Sequence, residues 1–114
     1  MLIEKREYTR ISLTYVTVEV YSALNTMESS ETCLIVDMSV SGMGFISKNH
    51  YKISQPLRVT FVLPESTIPI RANAVVIYQL PRNSLYHTGV QFTNISLAEF
   101  ALMKKYIELQ TKKN

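Results

Sequence analysis

The chain has 114 residues, a net charge of +3, 46% hydrophobic residues and 18% charged residues. These values indicate one globular domain that can bury a core without disulfides, and they exclude a disordered chain. The single cysteine, Cys33, excludes an internal disulfide and any cysteine-based metal cluster.

No stretch approaches the roughly 18 apolar residues of a membrane-spanning helix, and the first residues lack the apolar core of a signal peptide. We therefore expect a cytoplasmic protein without membrane insertion, a setting with which one free cysteine is compatible. No linker, repeat or change of composition divides the chain, which predicts a single domain over residues 1–114.

Six segments have the composition and alternation of β-strands. In the first, residues 11–21, the apolar alternation changes phase near Tyr15, which predicts a bulge or a strongly coiled strand. Two short strands are expected next, at residues 31–38 and 43–48, joined by a Ser-Val-Ser-Gly turn.

The later strands alternate more regularly. The fourth covers residues 57–63, and the fifth, residues 68–80, has the longest alternation. In the fifth strand we expect every second residue from the first position, Tyr78 included, to share one face. The sixth strand covers residues 86–93.

The apolar period becomes helical at the end of the chain. Residues 96–99 (Ser-Leu-Ala-Glu) form a capping box, and Ile95 and Phe100 are spaced for a hydrophobic staple. The pattern predicts an amphipathic helix over residues 96–111. Six strands and one helix predict a mainly β fold, an antiparallel barrel over residues 11–94 with the helix packed on one mouth or flank, because closure removes exposed strand edges.

Two arginines four residues apart, Arg6 and Arg10, precede the first predicted strand. A guanidinium is permanently charged and planar, its donors match phosphate oxygens and the O6 and N7 atoms of guanine, and it stacks on bases. We expect residues 1–10 to be a flexible segment that carries these ligand-binding groups. Two solvated surface arginines are the ordinary alternative.

Asp37, Ser39 and Gly42 lie at the end of the second predicted strand and in the turn after it. A carboxylate can accept hydrogen bonds from N1–H and N2–H₂ of guanine, two adjacent donors on one edge of that base. The Ser39 hydroxyl can donate to a phosphate or a base nitrogen, or accept from the backbone, and Gly42 permits a positive φ and close ligand approach. A plain hairpin turn is the alternative.

In this order, the two clusters resemble the signature of the PilZ domain family, bacterial receptors for the second messenger cyclic di-GMP. The family has an R-x-x-x-R segment before its first strand, which Arg6 and Arg10 match. It has D/N-x-S-x-x-G after its second strand, which Asp37, Ser39 and Gly42 match.

The resemblance covers about residues 4–110 and implies a six-stranded antiparallel β-barrel with a C-terminal α-helix. It also implies that the two arginines contact guanine faces and phosphates, that Asp37 and Ser39 contact a guanine edge, and that the glycine lets the turn approach the ligand. Many members have two adjacent arginines at the start of the first motif, where this chain has Lys5. Because lysine keeps the positive charge, Lys5 is a further candidate contact, although it lacks the planar group with which arginine stacks on a base.

The resemblance predicts a non-enzymatic cyclic di-GMP receptor that changes conformation on binding and signals to a partner protein. With no second domain expected, the output passes to a separate effector, which by resemblance belongs to motility, pilus or exopolysaccharide machinery, or to self-association. The alternative is a protein-interaction module of the same fold that does not bind nucleotide. A barrel for single-stranded nucleic acid would need a basic groove with exposed aromatics, and a net charge of only +3 argues against it.

No catalytic or metal-binding set emerges from the sequence. His50 and His87 lack ligands at metal-binding spacing, and Cys33 is interpreted as a buried hydrophobe. Ser39 has neither a nearby histidine nor a nucleophile-elbow pattern. We therefore expect neither an enzyme nor a cofactor, and we interpret most of the seven tyrosines as sheet packing.

Overall fold

The computed structural model describes residues 9–22 and 30–112 of the chain. Arg6, Lys5 and most of the predicted flexible segment lie outside these residues. In chain order, the described elements are β1 (Ile11–Ser12), β2 (Thr17–Ser22), β3 (Ser30–Ser39), β4 (Gly42–Ser47), β5 (Pro56–Val62), β6 (Pro69–Arg82), β7 (Leu85–Ile95) and α1 (Leu97–Lys112).

The strands form a closed antiparallel barrel. Neighbouring strands follow the order β3-β2-β5-β6-β7-β4, and β4 pairs with β3 again to close the ring of six. The short β1 adds to β3 beside β2, with Ile11 opposite Met38 and Ser12 opposite Asp37. The predicted fold, a six-stranded antiparallel barrel with a C-terminal helix, is confirmed.

The phase change near Tyr15 corresponds to a break between β1 and β2. Both short strands pair with β3, and residues 13–16 separate them. Tyr15 has a φ of 63° and an exposed fraction of 91%. Its left-handed backbone turns the chain between the two strands, so the alternation restarts in the opposite phase.

The prediction that alternate residues of 68–80 share one face is wrong at Ile68, which is exposed and precedes β6, and again beyond Val76. The alternate residues from Ile70 to Val76 are buried in the core, but the pairing of β6 with β7 shifts register between Val76 and Tyr78. A bulge of this kind re-aims the side chains that follow it. As a result Tyr78 is only partly buried and lies outside the core cluster.

One hydrophobic cluster fills the barrel and extends under α1. The helix contributes Met103 and Ile107, both buried, and it contacts β1 and β6. Among the described residues, no helix is long and apolar enough to cross a membrane. The largest fully buried side chains are Phe45, Met38, Met43, Leu57, Ile70 and Met103.

Ser96 caps α1, as the sequence predicts. Its Oγ accepts the Glu99 N–H at 3.1 Å, and the Phe100 N–H donates to the Ser96 carbonyl at 2.8 Å. The Glu99 carboxylate accepts the backbone N–H of Arg71 at 2.7 Å, in place of the reciprocal bond to Ser96 that a capping box makes. This bond attaches the first turn of α1 to β6.

Replacing Met103 with alanine is expected to lower the free energy of unfolding by about 2–5 kcal/mol, because it leaves a cavity where α1 meets the barrel. Met103→Leu conserves volume and should lower it by less than about 1.5 kcal/mol. Urea unfolding followed by circular dichroism measures both. Equal losses for the two variants would show that α1 does not pack through this side chain.

Candidate functional site

Arg10 of the first sequence cluster contacts Asp37 and Ser39 of the second. Its Nη2 donates to Asp37 Oδ1 at 2.9 Å, and its Nη1 lies 3.5 Å from Ser39 Oγ. The ion pair is partly exposed, with 32% of the Arg10 side chain and 30% of the Asp37 side chain accessible. The fold therefore joins two clusters that lie 27 residues apart in the chain.

A bulge in β3 positions Asp37. The register between β3 and β4 shifts between Ile35 and Asp37, so Val36 is the extra residue. Asp37 then lies opposite Ser12 on β1 and opposite Gly44 on β4. Because Gly44 has no side chain, the carboxylate can lie over the backbone of β4.

Ser39 supports the turn between β3 and β4. It is 0% exposed, and its Oγ accepts the Ser41 N–H at 3.1 Å. The two hydroxyls, Ser39 Oγ and Ser41 Oγ, are 3.0 Å apart. These bonds form the local serine turn that stabilises a tight hairpin, and they leave Ser39 beneath Arg10 and away from solvent.

Gly42 permits a positive φ but does not adopt one. All three glycines of the chain lie among the described residues, and none has a positive φ. Gly42 begins β4 in an extended conformation opposite Gln91. A Cβ at this position would stand 2.1 Å from the carbonyl oxygen of Val90. Close packing of β7 against β4 is therefore what requires glycine here.

Two further glycines lie between Asp37 and a tyrosine on the barrel wall. Gly44, opposite Asp37, pairs on its other side with Gly89 of β7. Gly89 in turn lies opposite Tyr78 of β6. A Cβ on Gly89 would stand 2.2 Å from Cε2 of the Tyr78 ring, so this ring lies directly on the Gly89 backbone. We call Gly44 and Gly89 the glycine pair.

His87 completes a polar cluster over the glycine pair. Its Nε2 lies 3.4 Å from Tyr78 Oη, and the two rings meet edge to face with centroids 5.5 Å apart. A Cβ on Gly44 would stand 2.8 Å from His87 Nε2, 3.0 Å from Asp37 Oδ1 and 3.5 Å from Tyr78 Oη. Three polar atoms from three strands therefore converge above one glycine.

An open depression of about 620 Å³ adjoins the ion pair, and its lining includes Arg10, Asp37, Gly42, Tyr78 and Gly89. This volume lies within the range of roughly 300–1,000 Å³ that small-molecule sites occupy. The lining combines a guanidinium, a carboxylate and a phenol with two buried glycines, Gly42 and Gly89. Such a surface can bind an anionic ligand that also carries hydrogen-bond donors.

Tyr78 and His87 are the site residues that the sequence patterns missed. Alternation assigns Tyr78 to sheet packing, and spacing assigns His87 no role. Glycine inside a strand does indicate a close approach, but only the register identifies Tyr78 as the neighbour of Gly89. The other histidine, His50, packs edge to face against Tyr86, and no metal-binding group of three or more ligands occurs in the described ranges.

Replacing Gly89 with alanine is expected to lower the free energy of unfolding by about 1–3 kcal/mol, because its methyl group overlaps the Tyr78 ring. In a Tyr78→Ala background the same substitution should lower the free energy of unfolding by a smaller amount, because the ring is absent. A double-mutant cycle by urea unfolding measures the difference. An equal loss in both backgrounds would contradict the contact between this ring and the Gly89 backbone.

The ionisation of Tyr78 reports on the ion pair. Burial raises the pKa of Tyr78, the negative charge of Asp37 raises it further, and the positive charge of Arg10 opposes the shift. Asp37→Asn should therefore lower the pKa of Tyr78, and Arg10→Ala should raise it. Titration of the Tyr78 ring resonances by NMR measures both shifts, and shifts of the same sign in the two variants would contradict the arrangement.

A family profile of the PilZ domain matches residues 4–109 of the chain. No curated protein sequence matches it. The fold is similar to that of the Bacillus subtilis inhibitor of motility MotI/DgrA, with a TM-score of 0.83 and 18% identity over 98% of this chain and 54% of that one.

Two structures from Escherichia coli are also similar. YcgR in complex with c-di-GMP has a TM-score of 0.77 and 18% identity over 97% of this chain and 48% of that one. The PilZ domain of YcgR with c-di-GMP has a TM-score of 0.74 and 17% identity over 96% of this chain and 94% of that one. The chain thus spans about half the length of MotI/DgrA and of the longer YcgR chain.

Proposed function

This chain belongs to the PilZ domain family, and we propose that it is a receptor for cyclic di-GMP that signals to a partner protein. The observation that carries the proposal is the contact between Arg10 and Asp37. It joins the two halves of the family signature at the edge of a depression of suitable size. Two of the similar solved structures, both of YcgR, contain c-di-GMP, which supports this choice of ligand.

Asp37 is the group that selects guanine in this proposal. Its two carboxylate oxygens can accept from N1–H and from one hydrogen of the exocyclic amino group. The bond from Arg10 to Oδ1 restrains the carboxylate before the ligand arrives, so less side-chain freedom is lost on binding. An adenine base lacks this pair of adjacent donors and would leave the carboxylate poorly matched.

Arg10 supplies positive charge for the phosphates and a plane for base stacking. An ion pair between partly exposed groups contributes only about 0–1 kcal/mol. Moving a guanidinium donor from Asp37 to a phosphate oxygen is therefore inexpensive. Arg6 and Lys5 complete the basic side of the site in this proposal, on the strength of the family signature.

Ser39 and Gly42 contribute through the shape of the turn. The buried Ser39 hydroxyl accepts the Ser41 N–H and lies 3.5 Å from Arg10 Nη1. In this proposal it positions the arginine. Gly42 allows β7 to approach β4, where any side chain would meet the Val90 carbonyl. The turn therefore lets β7 pack closely against β4 at the edge of the depression, which Ser41 and Gly42 line.

The conformational response begins at β1. Ser12 is two residues from Arg10 and lies opposite Asp37, and β1 also contacts α1. In this proposal the ligand draws residues 6–10 against residues 37–42 and shifts β1 against the helix. The changed surface is what a partner protein recognises.

Isothermal titration calorimetry with cyclic di-GMP tests the proposal. We expect binding by the wild-type protein and no measurable binding by Arg10→Ala or Asp37→Ala. Both variants should unfold within about 1 kcal/mol of the wild type, because the ion pair is partly exposed. Arg58→Ala is the matched control and should bind normally, since Arg58 lies on β5, which pairs with neither β3 nor β4.

Folded wild-type protein that gives no heat at high micromolar cyclic di-GMP would overturn the proposal. That result would favour the alternative, a PilZ-fold interaction module that does not bind nucleotide. Normal binding by Asp37→Ala would place the nucleotide elsewhere on the barrel.

A further inference from the structure

We propose that Tyr78 is a specificity residue for the guanine base, that its hydroxyl accepts one hydrogen of the exocyclic amino group, and that His87 positions this hydroxyl. The inference rests on the proposed function and deepens it. It adds to the site two residues that lie outside both sequence clusters.

The hydrogen-bond inventory of guanine calls for a third acceptor. The base edge that faces a carboxylate carries three hydrogens, one on N1 and two on the exocyclic nitrogen. The two oxygens of Asp37 accept one from each nitrogen. The remaining amino hydrogen would be removed from water without a partner, which weakens binding unless another acceptor lies beside Asp37.

Tyr78 places an oxygen next to Asp37. A Cβ on Gly44 would stand 3.0 Å from Asp37 Oδ1 and 3.5 Å from Tyr78 Oη. The distance between these two oxygens therefore cannot exceed the sum of the two values. One nitrogen that donates two hydrogen bonds spans acceptors about 5 Å apart. Both residues line the depression, so an amino group entering it meets both oxygens.

His87 determines which way the Tyr78 hydroxyl donates. Its Nε2 is 3.4 Å from Tyr78 Oη. In the tautomer that carries its proton on Nδ1, the imidazole accepts the hydroxyl hydrogen at Nε2, and the oxygen lone pairs of Tyr78 remain for the ligand. His87 acts only through Tyr78 and is therefore a positioning residue.

Three features of the fold place Tyr78 in this position. The bulge between Val76 and Tyr78 directs the ring out of the core. Gly89 admits the ring, and Gly44 admits the hydroxyl and the His87 Nε2 above it. Glycine within a strand is unfavourable by about 0.5–1 kcal/mol relative to alanine. Packing of the aromatic ring explains why residue 89 is glycine. It does not explain why three polar atoms lie over Gly44.

The test uses cyclic di-GMP and cyclic di-inosine monophosphate, which lacks the exocyclic amino groups. Tyr78→Phe keeps the ring on Gly89 and removes only the hydroxyl. We expect it to bind cyclic di-GMP about two- to tenfold more weakly than the wild type, the range for one lost hydrogen bond. Its affinity for the inosine ligand should remain within about twofold of the wild-type value.

His87 is tested by rescue. His87→Ala should reduce the preference for cyclic di-GMP over the inosine ligand, and His87→Gln, which keeps a hydrogen-bonding side chain, should restore most of it. Thermal unfolding of each variant accompanies the titrations. A merely structural role of His87 would weaken the binding of both ligands equally. The ratio of the two affinities is therefore the decisive quantity.

The outcomes separate the two proposals. Wild-type binding of cyclic di-GMP together with unchanged or equally weakened affinities in Tyr78→Phe would overturn the role of Tyr78 and leave the receptor function standing. Failure of the wild-type protein to bind either ligand would overturn both. A selective loss for cyclic di-GMP in Tyr78→Phe supports the inference.

Discussion

The antiparallel pairing of β3 with β4 is the interaction on which the rest of the structure depends. It closes the barrel, and the same stretch builds the candidate site. The bulge at Val36 positions Asp37 over Gly44, and the hairpin places Ser39 beneath Arg10. Because barrel closure and this part of the site use the same hydrogen-bonded ladder, residues 37–42 are preorganised whenever the barrel is folded.

The scaffold and the site differ in energetic character. The core side chains are almost fully buried, and losing one of the large ones costs several kcal/mol. The Arg10–Asp37 ion pair is exposed by about a third and contributes about 0–1 kcal/mol. Bonds within the site can therefore be exchanged for bonds to a ligand while the barrel remains intact. This difference would let one small domain stay folded while the bonds of the proposed site are exchanged.

Much of the fold could be predicted from the sequence, because apolar alternation, the Ser96 cap and helical spacing are local signals. The contact of Arg10 with Asp37 could be anticipated only from the family signature, since 27 residues separate them. Tyr78 could not be predicted, because a bulge ends the alternation that assigned it to the core face. Gly42 was singled out for the positive φ that glycine permits, yet it has none, and a carbonyl on β7, a long-range neighbour, is what excludes a side chain there.

The helix α1 contacts two strands that adjoin the candidate site. The helix contacts β1, which begins beside Arg10, and β6, which carries Tyr78. The bond from Glu99 to the Arg71 N–H anchors the first helical turn to β6, whereas β1 is only two residues long. A strand this short has few hydrogen bonds to hold its register, so it is the support of α1 that moves most easily. In the proposed function, a ligand that pulls on Arg10 therefore displaces β1 relative to a helix that stays fixed to β6, and the partner protein recognises that displacement.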